Sequence, residues 1–163
     1  MPRLICLIGL PGSGKSTWLK GKRNTGEIND DWHIVSLDDI ILRWGEERGL
    51  TYDEAWSEAP MTDLKAILRE EREQAYLDGR NVVIDMTNMS LKSRRKNIGS
   101  CPDTYTREAV LFVIPDSLLN HRLKEREKRE GKSIPEFVID GMARSYNCPT
   151  KDEFPGGISY VRD

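Results

Sequence analysis

The stretch Gly9-Leu10-Pro11-Gly12-Ser13-Gly14-Lys15-Ser16 constrains this chain more than any other. It fits the pattern G-x-x-x-x-G-K-[ST], and its setting is as informative as its letters. Before it lies Arg3–Ile8, apolar and β-rich with no polar alternation, as in a strand buried on both faces of a parallel sheet. After it, Lys15–Lys22 reads as a helix ended by Gly21 or by Asn24-Thr25-Gly26. Strand, glycine loop and helix in this order make an anion cradle. The glycines allow backbone angles that turn consecutive N–H groups inward, and the helix N-terminus faces the same point. Gly12, Ser13, Gly14, Lys15, Ser16 and Thr17 are therefore expected to hold ATP through its phosphates. Lys15 reaches the β and γ oxygens as a point charge, the Ser16 hydroxyl is a Mg²⁺ ligand, and Thr17 contacts the α-phosphate.

The rest of the chain alternates strands with helices. His33–Leu37 reads as a second strand, with Asp38-Asp39 capping a helix that runs to about Arg48. Gly49–Ala59 is ambiguous. A long helix starts at Pro60-Met61-Thr62-Asp63 and continues through Leu77, stopped by Asp78-Gly79. Val82–Asp85 is a third strand, Ser90–Ile98 a basic helix and Ala109–Ile114 a fourth strand. Asp116 or Ser117 caps a helix to about Glu130, broken by Gly131; Pro135–Tyr146 is another helix, and Ile158–Val161 a last short strand. This pattern predicts an α/β fold with a central, mainly parallel sheet. In such sheets ligands bind at the carboxyl ends of the strands. Gly9, Asp38, Asp85 and Pro115 all fall there.

Those strand ends carry the expected chemistry. Asp38 is placed to take a proton from an acceptor hydroxyl, with Asp39 more simply a helix-starting carboxylate; both can also be read as caps alone. Asp85 is placed to orient Mg²⁺ together with Ser16. Thr87 and Asn88 offer hydrogen bonds beside it, or cap the next helix. Arg122, Arg126 and Arg129 recur at helical spacing in the run Arg122–Lys132 and predict a lid that clamps phosphate oxygens, unless the run is a solvated, ion-paired face. Within Lys92–Lys96, Arg94 is a candidate for binding an acceptor phosphate. Trp44 and Trp56 are the tryptophans with the best claim to stack a base.

Composition narrows the partners. The chain has 163 residues, 32% of them charged, and a formal net charge of −2. One domain spanning 1–163 is expected, its lid at about 117–135. A chain that coats nucleic acid without regard to sequence would be strongly basic, so only a local nucleic-acid site is compatible with this charge. Three cysteines, Cys6, Cys101 and Cys148, fit no zinc spacing. They suit a reducing, cytoplasmic compartment. The apolar runs are too short to span a bilayer, so no membrane partner is expected. The sequence leaves the oligomeric state open.

The segment Ile8–Trp18 resembles the P-loop of phage-type polynucleotide 5′-hydroxyl kinases. Ser36-Leu37-Asp38-Asp39 is similar to their strand-end Asp-Asp, and Asp85-Met86-Thr87-Asn88 to their acceptor-side Asp-x-Thr-Asn. Arg126–Arg129 with Gly131 and Ile134-Pro135 resembles their lid, and Pro149–Phe154 is similar to the tails of these small kinases. The resemblance covers most of the chain. It implies a three-layer P-loop kinase with a helical lid, Asp38 as general base, Arg129 as the essential lid arginine, and a single-stranded nucleic-acid end as substrate, in a protein of phage type. Two basic residues of that family, before and three after the catalytic Asp, are here Leu37 and Ile41. The Asp-x-Asp-Gly-Thr marker of that family's phosphatase domain does not occur in these residues, so a kinase-only function is expected. The leading expectation is therefore a kinase of the 5′-OH end of DNA or RNA. Its alternative is a kinase of another hydroxyl: the hydroxymethyl group of a modified base in phage DNA, a nucleoside or a small metabolite. A third reading is an ATP-driven binding module with no acceptor.

Overall fold

A computed structural model describes residues 1–162. In chain order its elements are β1 (Arg3–Ile8), α1 (Lys15–Asn24), β2 (His33–Val35), α2 (Leu37–Glu46), α3 (Tyr52–Glu58), α4 (Met61–Leu77), β3 (Val82–Ile84), α5 (Leu91–Ile98), β4 (Thr106–Val113), α6 (Asp116–Glu130), α7 (Glu136–Arg144) and β5 (Ile158–Arg162). The strands form one sheet in the order β2-β3-β1-β4-β5, and every pairing is parallel. Strand β1 is central, which explains its apolar run. The two-residue side-chain period sends Leu4, Cys6 and Ile8 into one core and Ile5 and Leu7 into another. The first core takes Ile40 and Ile41 of α2, Ala55 of α3, Leu64 and Leu68 of α4 and Ile98 of α5. The second takes Leu19 of α1, with Ile28, Trp32 and Phe112. Helices thus cover both faces, as parallel strands require.

Local chemistry explains several boundaries that differ from the sequence expectation. Strand β2 ends at Val35 rather than Leu37 because Ser36, not Asp38, caps α2: its hydroxyl accepts from the Asp39 amide. Asp38 is therefore on the first turn of the helix. The ambiguous stretch contains α3, started by a reciprocal capping box in which Thr51 accepts from the Glu54 amide and the Glu54 carboxylate accepts from the Thr51 amide. Strand β4 begins at Thr106, earlier than Ala109, because its polar first half pairs with β1 from Arg3 onward.

The tail after α7 is tied to the middle of the sheet. Arg94 of α5 is fully buried and pairs with Glu153 at 2.8 Å. Its guanidinium also donates to the carbonyls of Asn88 and Met89. Burial works against the Glu153 carboxylate, but hydrogen bonds from Arg94 and the Thr150 amide prevail and hold it below its ordinary range. Since the folded state binds this proton less well, the contribution is complete above the ordinary value of 4.5. It is lost as pH falls through the lowered folded value. Replacing Glu153 by alanine strands a buried guanidinium and is expected to lower unfolding free energy by about 3 kcal/mol in urea titrations at pH 7. A loss below ~0.5 kcal/mol would show that the pair is solvated.

Candidate active site

The loop after β1 takes its shape from three glycines. A Cβ on Gly9 would lie 2.5 Å from the Ser13 hydroxyl and 3.0 Å from Phe112 Cβ. Gly12 and Gly14 have φ of 82° and 106°, values that favour glycine. Among the described residues, the amides of Gly14, Lys15, Ser16 and Thr17 find no acceptor in the protein. The Ser13 hydroxyl is buried without a partner. Helix α1 has no side-chain N-cap. Open amides, an orphaned hydroxyl and an uncapped helix end fit a phosphate chain, which supplies the missing acceptors.

Lys15 reaches back over this loop, and its ammonium donates to the carbonyls of Gly9 at 2.7 Å and Leu10 at 2.8 Å. Burial lowers its pKa to about 8, against the attraction of Asp85 and Asp38. Asp85, directly after β3, is itself raised by burial, with Lys15 opposing and Asp39 and Asp38 adding to the shift. Asp38 is likewise raised by burial; the nearby cations Lys132, Arg126 and Lys15 oppose it. The structure therefore brings Lys15, Asp38 and Asp85 into one electrostatic neighbourhood at the carboxyl ends of β1, β2 and β3. Ser16 and Thr17 are exposed at the mouth.

Helix α6 lies over the cradle. A Cβ on Gly12 would meet Leu123 at 3.1 Å and Leu119 at 3.4 Å, so the lid helix rests on the loop itself. Arg126 is the arginine whose charge reaches Lys15 and Asp38. It pairs with Glu130 at 3.4 Å. Arg122 is half-buried on the same helix. Arg129 is not brought to the crevice: its side chain is 74% exposed and pairs with Glu130 at 3.3 Å. The helical period explains this: at about 100° per residue Arg126 falls about 20° from Leu119, beside the buried stripe of Leu119 and Leu123, whereas Arg129 falls about 80° from Leu119 towards solvent.

Two other expected acceptor contacts are corrected. Arg94 is consumed by Glu153 and two carbonyls deep in the protein and cannot reach a substrate. The Asn88 side chain is equally committed. Its amide donates to the carbonyls of Leu7 and Met86, and its oxygen accepts from Asn97. Asn88, at φ 49°, thus staples the end of β1 to the segment after β3. The Thr87 carbonyl accepts from the Gly9 amide at 3.0 Å. Conversely, sequence reasoning missed Lys132 and Tyr52. Lys132 is the strongest cationic influence on Asp38 and sits 4.8 Å over the Tyr52 ring. The Thr51-x-x-Glu54 capping signature was the signal that could have placed Tyr52 on a helix.

Among the described residues no cluster of three His, Cys, Asp or Glu could hold a metal alone. That suits Mg²⁺, which keeps several waters and takes one or two protein oxygens plus phosphates. Ser16, exposed at the mouth of the loop, and Asp85, directly after β3, could hold it.

The buried ammonium has a consequence for the nucleotide-free protein. Its folded pKa is depressed from 10.5 to about 8, so the folded state binds fewer protons there and stability rises as pH climbs from about 8. Lys15→Met removes that charge. It is expected to abolish ATP binding while raising Tm without nucleotide by about 3 °C, checked by calorimetry. A lowered Tm would contradict the account.

Residues 4–149 match the AAA domain family model AAA_33. The chain is 25% identical over 168 residues to human heterogeneous nuclear ribonucleoprotein U-like protein 2, across 96% of this chain but 21% of that protein. It is 24% identical to the mouse counterpart over the same shares. The chain thus spans about a fifth of the length of these curated relatives. A Chloroflexus aurantiacus structure described as a kinase superposes with TM-score 0.68 at 17% identity, covering 99% of this chain and 85% of that one. A sugar kinase from Janibacter sp. HTCC2649 gives 0.62 at 17% identity, over 99% and 86%. A chain of the Pnkp1/Rnl/Hen1 complex gives 0.54 at 23% identity, over 84% and 42%. The fold is that of the P-loop kinases, and the chain belongs to the AAA domain family AAA_33.

Proposed function

We propose that this chain transfers the γ-phosphoryl group of ATP to a hydroxyl of a nucleic acid, by preference the 5′-OH at a single-stranded end of DNA or RNA. The observation that carries it is Asp38, a carboxylate across from the P-loop ammonium and under the cations Arg126 and Lys132. A carboxylate serving only the first turn of α2 would not need to face the P-loop ammonium and two lid cations. The loop amides and Lys15 bind the triphosphate. Asp38 accepts the acceptor proton as that oxygen bonds to the γ-phosphorus, the bond to the β–γ bridging oxygen breaks, and ADP departs. Arg126 and Lys132 neutralise charge spread over the equatorial oxygens. Ser16 and Asp85 would hold Mg²⁺, which would supply further neutralisation. Helix α6 over the loop keeps water from competing with the acceptor. The nucleic-acid choice is supported by the Asp-Asp and Asp-x-Thr-Asn stretches shared with phage-type polynucleotide kinases, and by relatives named for ribonucleoproteins.

A second reading keeps the chemistry and changes the acceptor. Ile41 is buried and Leu37 packs against the core, so neither position offers a cation to an acceptor phosphate. The fold is also shared with a sugar kinase and a gluconokinase from Sinorhizobium meliloti 1021. A panel of labelled-ATP reactions on 5′-OH oligonucleotides, hydroxymethyl-base DNA, nucleosides and sugar acids separates the two. Labelling confined to small alcohols would end the nucleic-acid reading.

Asp38→Asn is expected to slow phosphoryl transfer at least 100-fold, a general base being worth about 10²–10⁴, with the Kd for ATP within about threefold. Unchanged transfer would remove Asp38 as the base. Because burial raises Asp38, the acid limb of the kcat profile should lie above its ordinary value of 3.8, with activity rising as Asp38 deprotonates. Arg126→Ala should cost about tenfold more in kcat than Arg129→Ala, whose side chain faces solvent. The reverse order would mean that the lid turns about its axis before transfer.

A further inference from the structure

We propose that Tyr52 and Trp56 of α3, rimmed by Lys132, form an acceptor subsite beside Asp38 that stacks an unpaired nucleobase. The inference rests on the kinase reading only in naming the terminal base as occupant, and the binding itself is measured without catalysis.

Of the four tryptophans, three are already engaged. Trp32 is buried. Trp18 meets the edge of Phe112 and the ammonium of Lys22. Trp44 packs on the core with the Arg48 guanidinium 4.5 Å above its ring. Trp56 alone is an exposed tryptophan, at 36%. Its neighbour one turn earlier is Tyr52, ring centroids 6.0 Å apart and tilted by 57°. The tilt leaves the two rings as walls of an angle rather than a closed stack.

Tyr52 lies at the chemistry, and Trp56 follows it one turn on. Burial pushes the Tyr52 hydroxyl up to about 12, and the next largest influences on it are the charges of Asp38 and Arg126. Lys132 lies over the Tyr52 ring and is also the foremost cation acting on Asp38. The close packing of α3 on α2 fixes the placement: a Cβ on Gly45 would come 2.6 Å from Ala55 Cβ, so glycine there lets α3 approach. The lid meets the same helix, the Ser133 amide donating to Asp53 at 3.4 Å.

The exposed Trp56 ring, with Tyr52 and its overlying Lys132 leading towards Asp38, suits a planar base whose own sugar carries the reacting hydroxyl and whose next phosphate meets Lys132. A hexose or sugar acid has the hydroxyl but no plane to stack. The subsite also supplies an acceptor contact where Leu37 and Ile41 offer none.

The test is a coupled one. An octadeoxynucleotide with a 5′-OH, and the same strand with an abasic 5′-terminal residue, are titrated against the full chain without ATP, followed by tryptophan quenching and by anisotropy of a 3′ label. Trp56→Leu should weaken binding of the intact strand about 5- to 150-fold, the range for one stacked base. The same substitution should change binding of the abasic strand by less than about twofold, since the stacked group is already gone. Trp56→Phe should restore most of the affinity, which shows that the ring and not the fold was lost. Equal losses on both strands, or no binding of either by the wild type, overturns the proposal. So does Trp56-dependent binding of gluconate or hexoses alone. A strand bound through Trp56 yet never labelled by ATP leaves the subsite standing and removes the kinase reading instead.

Discussion

The Lys15 ammonium is held by two loop carbonyls in the field of the Asp85 and Asp38 carboxylates, and the rest of the site is arranged around it. A cation in that position is costly to desolvate, and its pKa is lowered accordingly. The triphosphate that restores its electrostatic partner is the ligand the loop is shaped for. Holding the loop in that shape is the task of the layers behind it. The Gly9 amide is bonded to Thr87, Asn88 is bonded to Leu7 and Met86, and Arg94 under them is paired to Glu153 in the tail. A buried ion pair near the C-terminus thus supports the backbone that forms the phosphate cradle near the N-terminus.

The lid follows from the same loop. Gly12 lets Leu119 and Leu123 of α6 approach the cradle, which sets the height of the helix above the loop. From there the helical repeat decides which arginine looks down. Arg126 does and Arg129 does not. The left-handed Gly131 ends α6 and directs Lys132 and Ser133 towards α3. Asp38, Lys132 and Tyr52 therefore meet at one edge of the crevice, although they come from three separate stretches of chain.

Much of the fold and the P-loop could be read from the sequence because the signals were local. The apolar run of β1 and the glycine spacing name their own structure, and strand ends place Asp38 and Asp85 without further information. What could not be read depended on pairing across the fold. Arg94 looks like part of a surface run at 92–96, and only Glu153, far along the chain, shows why it is inside. Asn88 looks like an acceptor ligand until its bonds to Leu7 and Asn97 are seen. The choice of Arg126 over Arg129 depends on which side of α6 rests on Gly12, a contact invisible to spacing alone. Helix α3 was locally legible through its capping box, but seven residues are too few for periodicity to stand out.

The central claim is that Asp38 stands across the transferred phosphoryl group from Lys15. Its most direct test is a crystal structure with Mg²⁺ and a non-hydrolysable ATP analogue. A hydroxyl oxygen in hydrogen-bond reach of the base and in line with the γ-phosphorus puts an Asp38 carboxylate oxygen about 6 Å from that phosphorus. The account predicts that distance, with Lys15 on the β and γ oxygens. An Asp38 carboxylate more than ~10 Å away, or shielded from the γ-phosphate by protein, would contradict it.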